Sequence, residues 1–246
     1  MRALDVLKTA DVIAAEDTRH SRRLLEYYDI HGKLVRLDAH TIFERAPEVL
    51  ESHKSIAFIT DAGTPGISDP GAELVRLALA RGDEVEVLPG ATAFVPALIL
   101  SGLPTQIFTF EGFLPRKGAA RRERLASLAR REGSSLLYES PKRLAATLRD
   151  LAQHCSPQRQ ASVSRELSKR FETTYRGSLD ELVNTFEDTA VKGEIVIVIA
   201  PYEAPTLDAE AQARVLREQG LTGRDLREAL LEVGVARNEA YRLSLE

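Results

Sequence analysis

The stretch Ile56–Gly71, IAFITDAGTPGISDPG, decides how this chain is read. It opens as a buried-strand run, Ile56, Ala57, Phe58 and Ile59, and breaks at Thr60-Asp61 into a loop holding Gly63, Pro65, Gly66, Pro70 and Gly71. A helix follows, with Asp69 predicted as its N-cap and Pro70 at the first helical position. Open α/β sheets bind ligands at the carboxyl ends of their strands, where this loop lies. Its glycines let backbone N–H and C=O groups approach a ligand closely, and its prolines hold a shape that loses little entropy on binding. A plain connection takes roughly two to six residues, so the length argues for a binding loop.

Outward from that loop, strand-like runs alternate with helical ones. Val12–Ala15, Leu34–Leu37, Ile56–Thr60 and Glu84–Leu88 read as short buried strands, and Thr18–Tyr28, Ala72–Arg81 and Thr92–Leu100 as helices. This alternation predicts a largely parallel sheet covered by helices. Ser101-Gly-Leu-Pro104 breaks the pattern. A second α/β set follows, with strands at Ile107–Phe113, Ser135–Glu139, Ala161–Arg165, Thr173–Arg176 and Glu194–Ala200. Its helices begin near Gly118, at Ser140-Pro141 and at Ser178. After Pro201–Pro205 the chain turns to charged, alanine- and leucine-rich helices with a helix-turn-helix cadence around Gly234-Val235. The predicted class is α/β: two α/β domains, 1–104 and 105–203, with a ligand cleft between them, and a small helical tail, 206–246. A βα unit needs a strand before its helix, yet Met1 opens directly into the helical pattern RALDVLKTADVI, so the first sheet is expected to be one strand short.

Composition narrows the classes. A single cysteine, Cys155, excludes an internal disulfide and a Cys-rich zinc site. The five histidines are scattered, with no metal-ligand spacing, so no metal is expected. The longest apolar run, Ala91–Leu100, is far short of the roughly 20 residues a bilayer requires, and no signal peptide is read; the expected location is the cytoplasm, without membrane contact. The net charge of −4 does not suggest a nucleic-acid binder; its distribution is more informative. Between Arg116 and Arg131, seven basic residues face one acid, Glu123. Such an excess can follow a phosphate backbone, or be the solvated face of a helix packed on Leu125 and Leu128.

Four more segments read as loops at strand ends: Ala15-Glu16-Asp17-Thr18-Arg19, Pro89-Gly90-Ala91-Thr92-Ala93, Tyr138-Glu139-Ser140-Pro141 and Arg165-Glu166-Leu167-Ser168-Lys169. Taken in order, AEDTRHSRRLL, TDAGTPGISDPG, PGATA, FEGFLPRK, YESPKRL, SRELSKRFE and KGEIVIVI resemble the tetrapyrrole-methylase superfamily, and within it the ribosomal RNA small-subunit methyltransferase I group, which methylates a cytidine ribose 2′-hydroxyl. The resemblance runs from Met1 to about Ala200, and the tail is similar to that group's C-terminal extension.

The resemblance implies a two-domain enzyme, usually a homodimer, binding S-adenosylmethionine between its domains. Carried over by motif, the cofactor would touch Asp61, Ala62, Gly63 and Thr64, then Thr92 and Ala93, and the backbone near Tyr138 and Glu139. Ribosomal RNA or the small subunit would be the substrate. It would lie across Glu16, Asp17, Arg19, the Arg116-Lys117 loop and Arg165–Lys169, with Arg121 and Arg122 adding phosphate contacts. Members normally begin with a strand and a loop like TPIGN, which this chain lacks. His40 is followed by Thr41 rather than asparagine, and Lys142 stands where histidine is more usual.

Methyl transfer from a sulfonium is an in-line displacement, so alignment supplies much of the acceleration. A ribose hydroxyl also needs a base. Glu16, Asp17 and Glu166 are the candidate bases; Arg19, Arg165 and Lys169 are candidates for holding phosphates or lowering the hydroxyl's pKa. Two other readings stand beside this one: a small-molecule tetrapyrrole methylase of the same fold, and a non-catalytic RNA-binding protein lacking the first strand.

Overall fold

The structure, a computed structural model, describes residues 2–203 and 208–245. Met1 and the expected tail boundary at residue 206 lie outside them. The chain forms two compact units that part between Tyr202 and Glu203.

The larger unit is built around two strands buried on both faces. The first is β1 (Val12–Ala15), all four of whose residues are buried. It pairs in parallel with β2 (Leu34–Arg36) and β3 (Ile56–Ile59), giving the order β2-β1-β3. Alternate side chains leave opposite faces. Val12 and Ala14 pack with Ala46, Val49 and Leu50 of α3 (Ile42–Ser52) and Leu74 and Ala78 of α4 (Ala72–Arg81). Ile13 packs the other way, with Leu7 of α1 (Arg2–Thr9) and Leu25 of α2 (Thr18–Tyr27). Helix α3 has no counterpart in the sequence reading. Its interior Pro47 removes a backbone donor and costs about 3 kcal/mol. Burial of Ile42, Ala46, Val49 and Leu50 offsets that penalty.

Two expectations fail here. Glu84–Leu88 is no strand: it has no ladder partner, and Val87 is 69% exposed. Among the described residues β3 pairs only with β1, and Glu84–Leu88 does not pair with its open edge. Apolar alternation supplies a strand's faces but not its hydrogen bonds. Nor does Asp69 cap α4. The cap is Gly71, at φ +135, where a Cβ would lie 2.8 Å from the Phe58 ring.

The second two-faced strand is β8 (Ile195–Ile199), buried throughout. It lies at the centre of a mixed sheet of order β4-β5-β8-β6-β7, formed with β4 (Phe108–Phe113), β5 (Ser134–Glu139), β6 (Gln160–Arg165) and β7 (Thr173–Ser178). Only β4 and β5 run parallel; the other pairs are antiparallel. Ile195, Ile197 and Ile199 join the core beneath α6 (Ala119–Ala129), α7 (Leu144–Cys155) and α8 (Leu179–Phe186). Val196 and Val198 face Ala97 and Leu98 of α5 (Phe94–Ser101). Helix α5 thus packs on the five-stranded sheet although it precedes Pro104. Ser178 caps α8 in a reciprocal box with Glu181, as its position suggests. Helix α7, by contrast, starts at Leu144 rather than at Ser140-Pro141, because Ser140–Arg143 form a turn.

Arg121 is not the phosphate-binding residue expected of it. Its side chain is 11% exposed and donates to Asp150 at 2.8 Å, the Pro115 carbonyl at 3.0 Å and the Thr147 hydroxyl at 3.1 Å. Thr147 in turn donates to the buried Glu139 carboxylate at 2.7 Å, which Arg143 also approaches. The helix phase that buries Leu125 and Leu128 carries Arg121 inward with them.

The smaller unit contains α9 (Ala209–Glu218), α10 (Gly223–Glu232) and α11 (Arg237–Leu245), closed on Ala213, Leu226, Leu230, Ala240 and Leu243. Val235 is buried at the corner after Gly234, which has φ +94. No helix among the described residues is long and apolar enough to cross a membrane.

Removing Arg121 takes the donor from Asp150, the Pro115 carbonyl and the Thr147 hydroxyl at once. Arg121→Ala is therefore expected to lower the unfolding free energy by about 2–4 kcal/mol. The neighbouring exposed Arg122→Ala should leave it unchanged. Urea titration of the two variants separates the roles, and equal midpoints would show Arg121 to be dispensable to the fold.

Candidate functional site

The polar residues gather where the buried strands end. After β1, Glu16 and Asp17 lead into α2. The Asp17 carboxylate accepts the Arg19 backbone N–H at 2.8 Å and the Arg19 guanidinium at 2.9 Å. These bonds, the side-chain one foremost, hold Asp17 far below the usual carboxylate range. An anion so well satisfied is a poor base. Glu16 accepts the backbone N–H of Asp61 at 3.4 Å, which joins the end of β1 to the loop after β3.

That loop is closed on itself and tied to the next. Gly66 N–H donates to the Pro70 carbonyl at 3.2 Å, and Gly63 and Gly66 both take positive φ. The Thr64 hydroxyl donates to the Ala91 carbonyl at 3.1 Å. A Cβ on Gly63 would stand 3.3 Å from that same carbonyl, and one on Gly90 would stand 3.1 Å from the Thr64 hydroxyl. The two loops approach closely, linked by the Thr64 side chain, with glycines at 63 and 90 leaving room for the contact. Tyr138, at the end of β5, reaches them as well: the backbone N–H groups of Phe94 and Ala93 aim at its phenol oxygen. Burial pushes that phenol up despite those donors. Asp61–Thr64, Thr92-Ala93 and Tyr138, distant in sequence, are thereby brought together. Glu139 stands apart, its side chain buried and its carboxylate bonded to Ser140 N–H and Thr147.

One residue the sequence reading put to another use belongs here. Asp69 is half-buried, and its carboxylate makes no hydrogen bond among the described residues. Burial, and then the charges of Glu16, Asp61 and Glu194, push it up to about 6. The signal was present in the sequence as an acid inside a glycine-rich loop, but capping explained it equally well.

In the second half of this unit the loop after β6 is clipped shut. The Glu166 carboxylate accepts the Glu194 N–H at 3.0 Å and the Lys169 ammonium at 3.0 Å, and these bonds lower its pKa. Lys169 also bridges to Glu194 at 2.9 Å. Glu166 and Ser168 sit at φ +51 and +63, a left-handed backbone that non-glycine residues seldom take, held by these bonds. Glu166 is accordingly a structural clasp rather than a base. The Arg165 Nε is buried without a partner. Of the basic run, Arg124 and Arg131 are paired with Glu111, while Arg116, Lys117 and Arg122 are exposed and form no ion pair among the described residues. No cluster of three metal-binding side chains occurs among the described residues.

Comparisons with known proteins identify the family. The sequence profile of the tetrapyrrole (corrin/porphyrin) methylases matches residues 1–183. A Synechocystis protein named ribosomal RNA small subunit methyltransferase I is 42% identical over all of this chain and 91% of its own length. A Xylella fastidiosa protein of the same name is 46% identical over 80% of this chain and 74% of its own. Among solved structures, the uroporphyrin-III C-methyltransferase of Thermus thermophilus, in complex with S-adenosylhomocysteine, superposes with a TM-score of 0.56. It is 20% identical and covers 81% of this chain and 89% of that one.

A carboxylate raised from 3.8 to about 6 binds its proton more tightly folded than unfolded, so it lowers stability as pH rises through that window. Asp69→Asn should raise the melting temperature at about pH 7.5, with the gain vanishing near pH 4. A variant that melts no higher than the parent at the upper pH would mean that the neighbouring acids do not strain Asp69.

Proposed function

Because this chain belongs to the tetrapyrrole methylase family, we propose that it is an S-adenosylmethionine-dependent methyltransferase acting on a cytidine ribose 2′-hydroxyl of small-subunit ribosomal RNA. The observation that carries the reading is the junction of the Asp61–Thr64 and Ala91–Ala93 loops beside Tyr138. It brings two loops into close approach, permitted by Gly63 and Gly90, with the Tyr138 phenol beside the Ala93 and Phe94 N–H groups. The names of the relatives favour RNA over a small macrocycle as substrate. The tetrapyrrole reading has the broader family match and a likeness of fold behind it, but neither the Synechocystis nor the Xylella relative bears such a name.

Asp61, Ala62, Gly63, Thr64, Thr92, Ala93 and Tyr138 would hold the cofactor, which supplies a methyl group made electrophilic by its sulfonium. The chain's own contribution is alignment and proton transfer. Asp69 is our choice of acceptor for the hydroxyl proton, with Glu16 beside it, because Asp17 and Glu166 are each saturated by local donors. A base with a pKa near 6 is mostly ionised at neutral pH yet keeps more affinity for a proton than an ordinary carboxylate. Arg116, Lys117 and Arg122 would neutralise phosphates, and the helical tail would add docking surface. The reading includes two lobes carried by the two sheets, a homodimer and a cytoplasmic location, which rest on the family resemblance.

The test is methyl incorporation from labelled cofactor into small ribosomal subunits that lack this modification, with nuclease mapping of the labelled nucleotide. Incorporation on a cytidine 2′-oxygen supports the proposal; labelling of a tetrapyrrole instead, or cofactor binding without any transfer, overturns it. Counterion release adds a quantitative expectation. Replacing Arg116, Lys117 and Arg122 together with Ala should flatten the log–log salt dependence of RNA binding by about 2, at roughly 0.7 per contact on single strands. An unchanged slope would leave the three as solvated surface.

A further inference from the structure

Strand β4 contains one residue more than its neighbour can match. Phe110 pairs with Leu136, but Gly112 pairs with Leu137 and Phe113 with Tyr138, so Glu111 is an insertion. In an unbroken strand Phe110 and Phe113, three apart, would point to opposite faces. The bulge reverses the parity after it. Phe113 therefore stands on the same face as Phe110 and Tyr138, and the rings form a ladder. Phe94 lies 4.5 Å from Phe110, Phe110 lies 4.8 Å from Tyr138, and Tyr138 lies 5.7 Å from Phe113. Gly112, at φ +62, permits the bulge, and a Cβ there would stand 3.0 Å from the Ser68 hydroxyl of the glycine-rich loop.

The ladder begins in the core and ends in solvent. Phe94 is half-buried against α5's own sheet contacts, whereas Phe113 is 54% exposed. A single exposed phenylalanine is ordinary. Here, though, an inserted residue and a glycine in the left-handed region turn it toward Tyr138. Three and four residues further on, Arg116 and Lys117 are exposed and form no ion pair among the described residues.

We propose that Phe113 is a stacking platform for an unpaired nucleobase of the RNA substrate, with Arg116 and Lys117 on the adjoining phosphates. The inference rests on the RNA methyltransferase reading and deepens it. Presenting one ribose hydroxyl of a flexible strand requires that its nucleotide be immobilised. An aromatic face backed by other rings grips any base, because every base has a π-face. Phe113 is a positioning residue in this scheme, since it touches the base and not the reacting oxygen.

The experiment compares the full chain with Phe113→Leu, Phe113→Trp and Phe113→Ala. It measures KM and kcat on small subunits, S-adenosylmethionine affinity by calorimetry, and quenching of a 2-aminopurine placed in a single-stranded RNA oligonucleotide. Leu keeps apolar bulk without a π-face, so a folded Leu variant that loses quenching and raises KM about tenfold, while Trp restores both, supports stacking. Equal behaviour of Leu and Phe overturns it, as does a fall in cofactor affinity with RNA binding unchanged, which would give the ring to the cofactor. Should the parent methylate no RNA, the functional reading fails by itself, and the quenching series still decides whether Phe113 stacks on a base.

Discussion

A strand covered on both faces can carry almost no charge, and that constraint orders this molecule. β1 and β8 are wholly buried, each between two layers of helix or helix and helix-capped sheet. An unpaired ion among Val12–Ala15 or Ile195–Ile199 would meet a desolvation penalty of several kcal/mol. Polar chemistry is therefore deferred to the first residues beyond each strand. Glu16 follows β1, Asp61 follows β3, and Glu194 immediately precedes β8, and all three act on Asp69. The concentration of acids at one place follows from where the sheets allow charge at all.

Residues of one type then diverge by what surrounds them. Arg121 and Arg122 are adjacent, yet one is a buried strut between α6 and α7 and the other faces water. Asp17 and Asp69 both precede helices. Asp17 is satisfied by Arg19 and is pushed down; Asp69 has no such donor and is pushed up by burial and then by its acidic neighbours. Local donors stabilise one anion. Their absence leaves the other costly to the fold, which is the ground on which it is proposed as the proton acceptor.

Strands and helices with simple patterns were legible in the sequence. Val12–Ala15 and Ala72–Arg81 have the expected bounds, and a helix follows Ser178 as expected. What misled was information held elsewhere in the chain. Glu84–Leu88 has strand-like residues but no partner, and α3 tolerates Pro47 only because of what it packs against. The glycine-rich loop was recognisable as a loop of consequence, whereas its bond to Ala91 depends on a turn 27 residues away. For the basic run, composition registered the charges, but helix phase decided that Arg121 turns inward. The clasp between Glu166 and the Glu194 backbone is likewise invisible from local sequence, because the two lie 28 residues apart.

Glu111, the extra residue of β4, is no loose insertion. Its side chain is 2% exposed and held by Arg124 and Arg131. A bulge pinned by two guanidiniums cannot slide along the strand. It acts as a permanent half-period phase shift between Phe110 and everything after it. When such a chain is aligned with its relatives, a one-residue gap at this place is not a trivial length difference. Two proteins could share every letter from Leu114 onward and still point the residue before it to opposite sides of the sheet. Divergence in what this end of the sheet presents can thus arise from an insertion or deletion, with no substitution at the position that changes face.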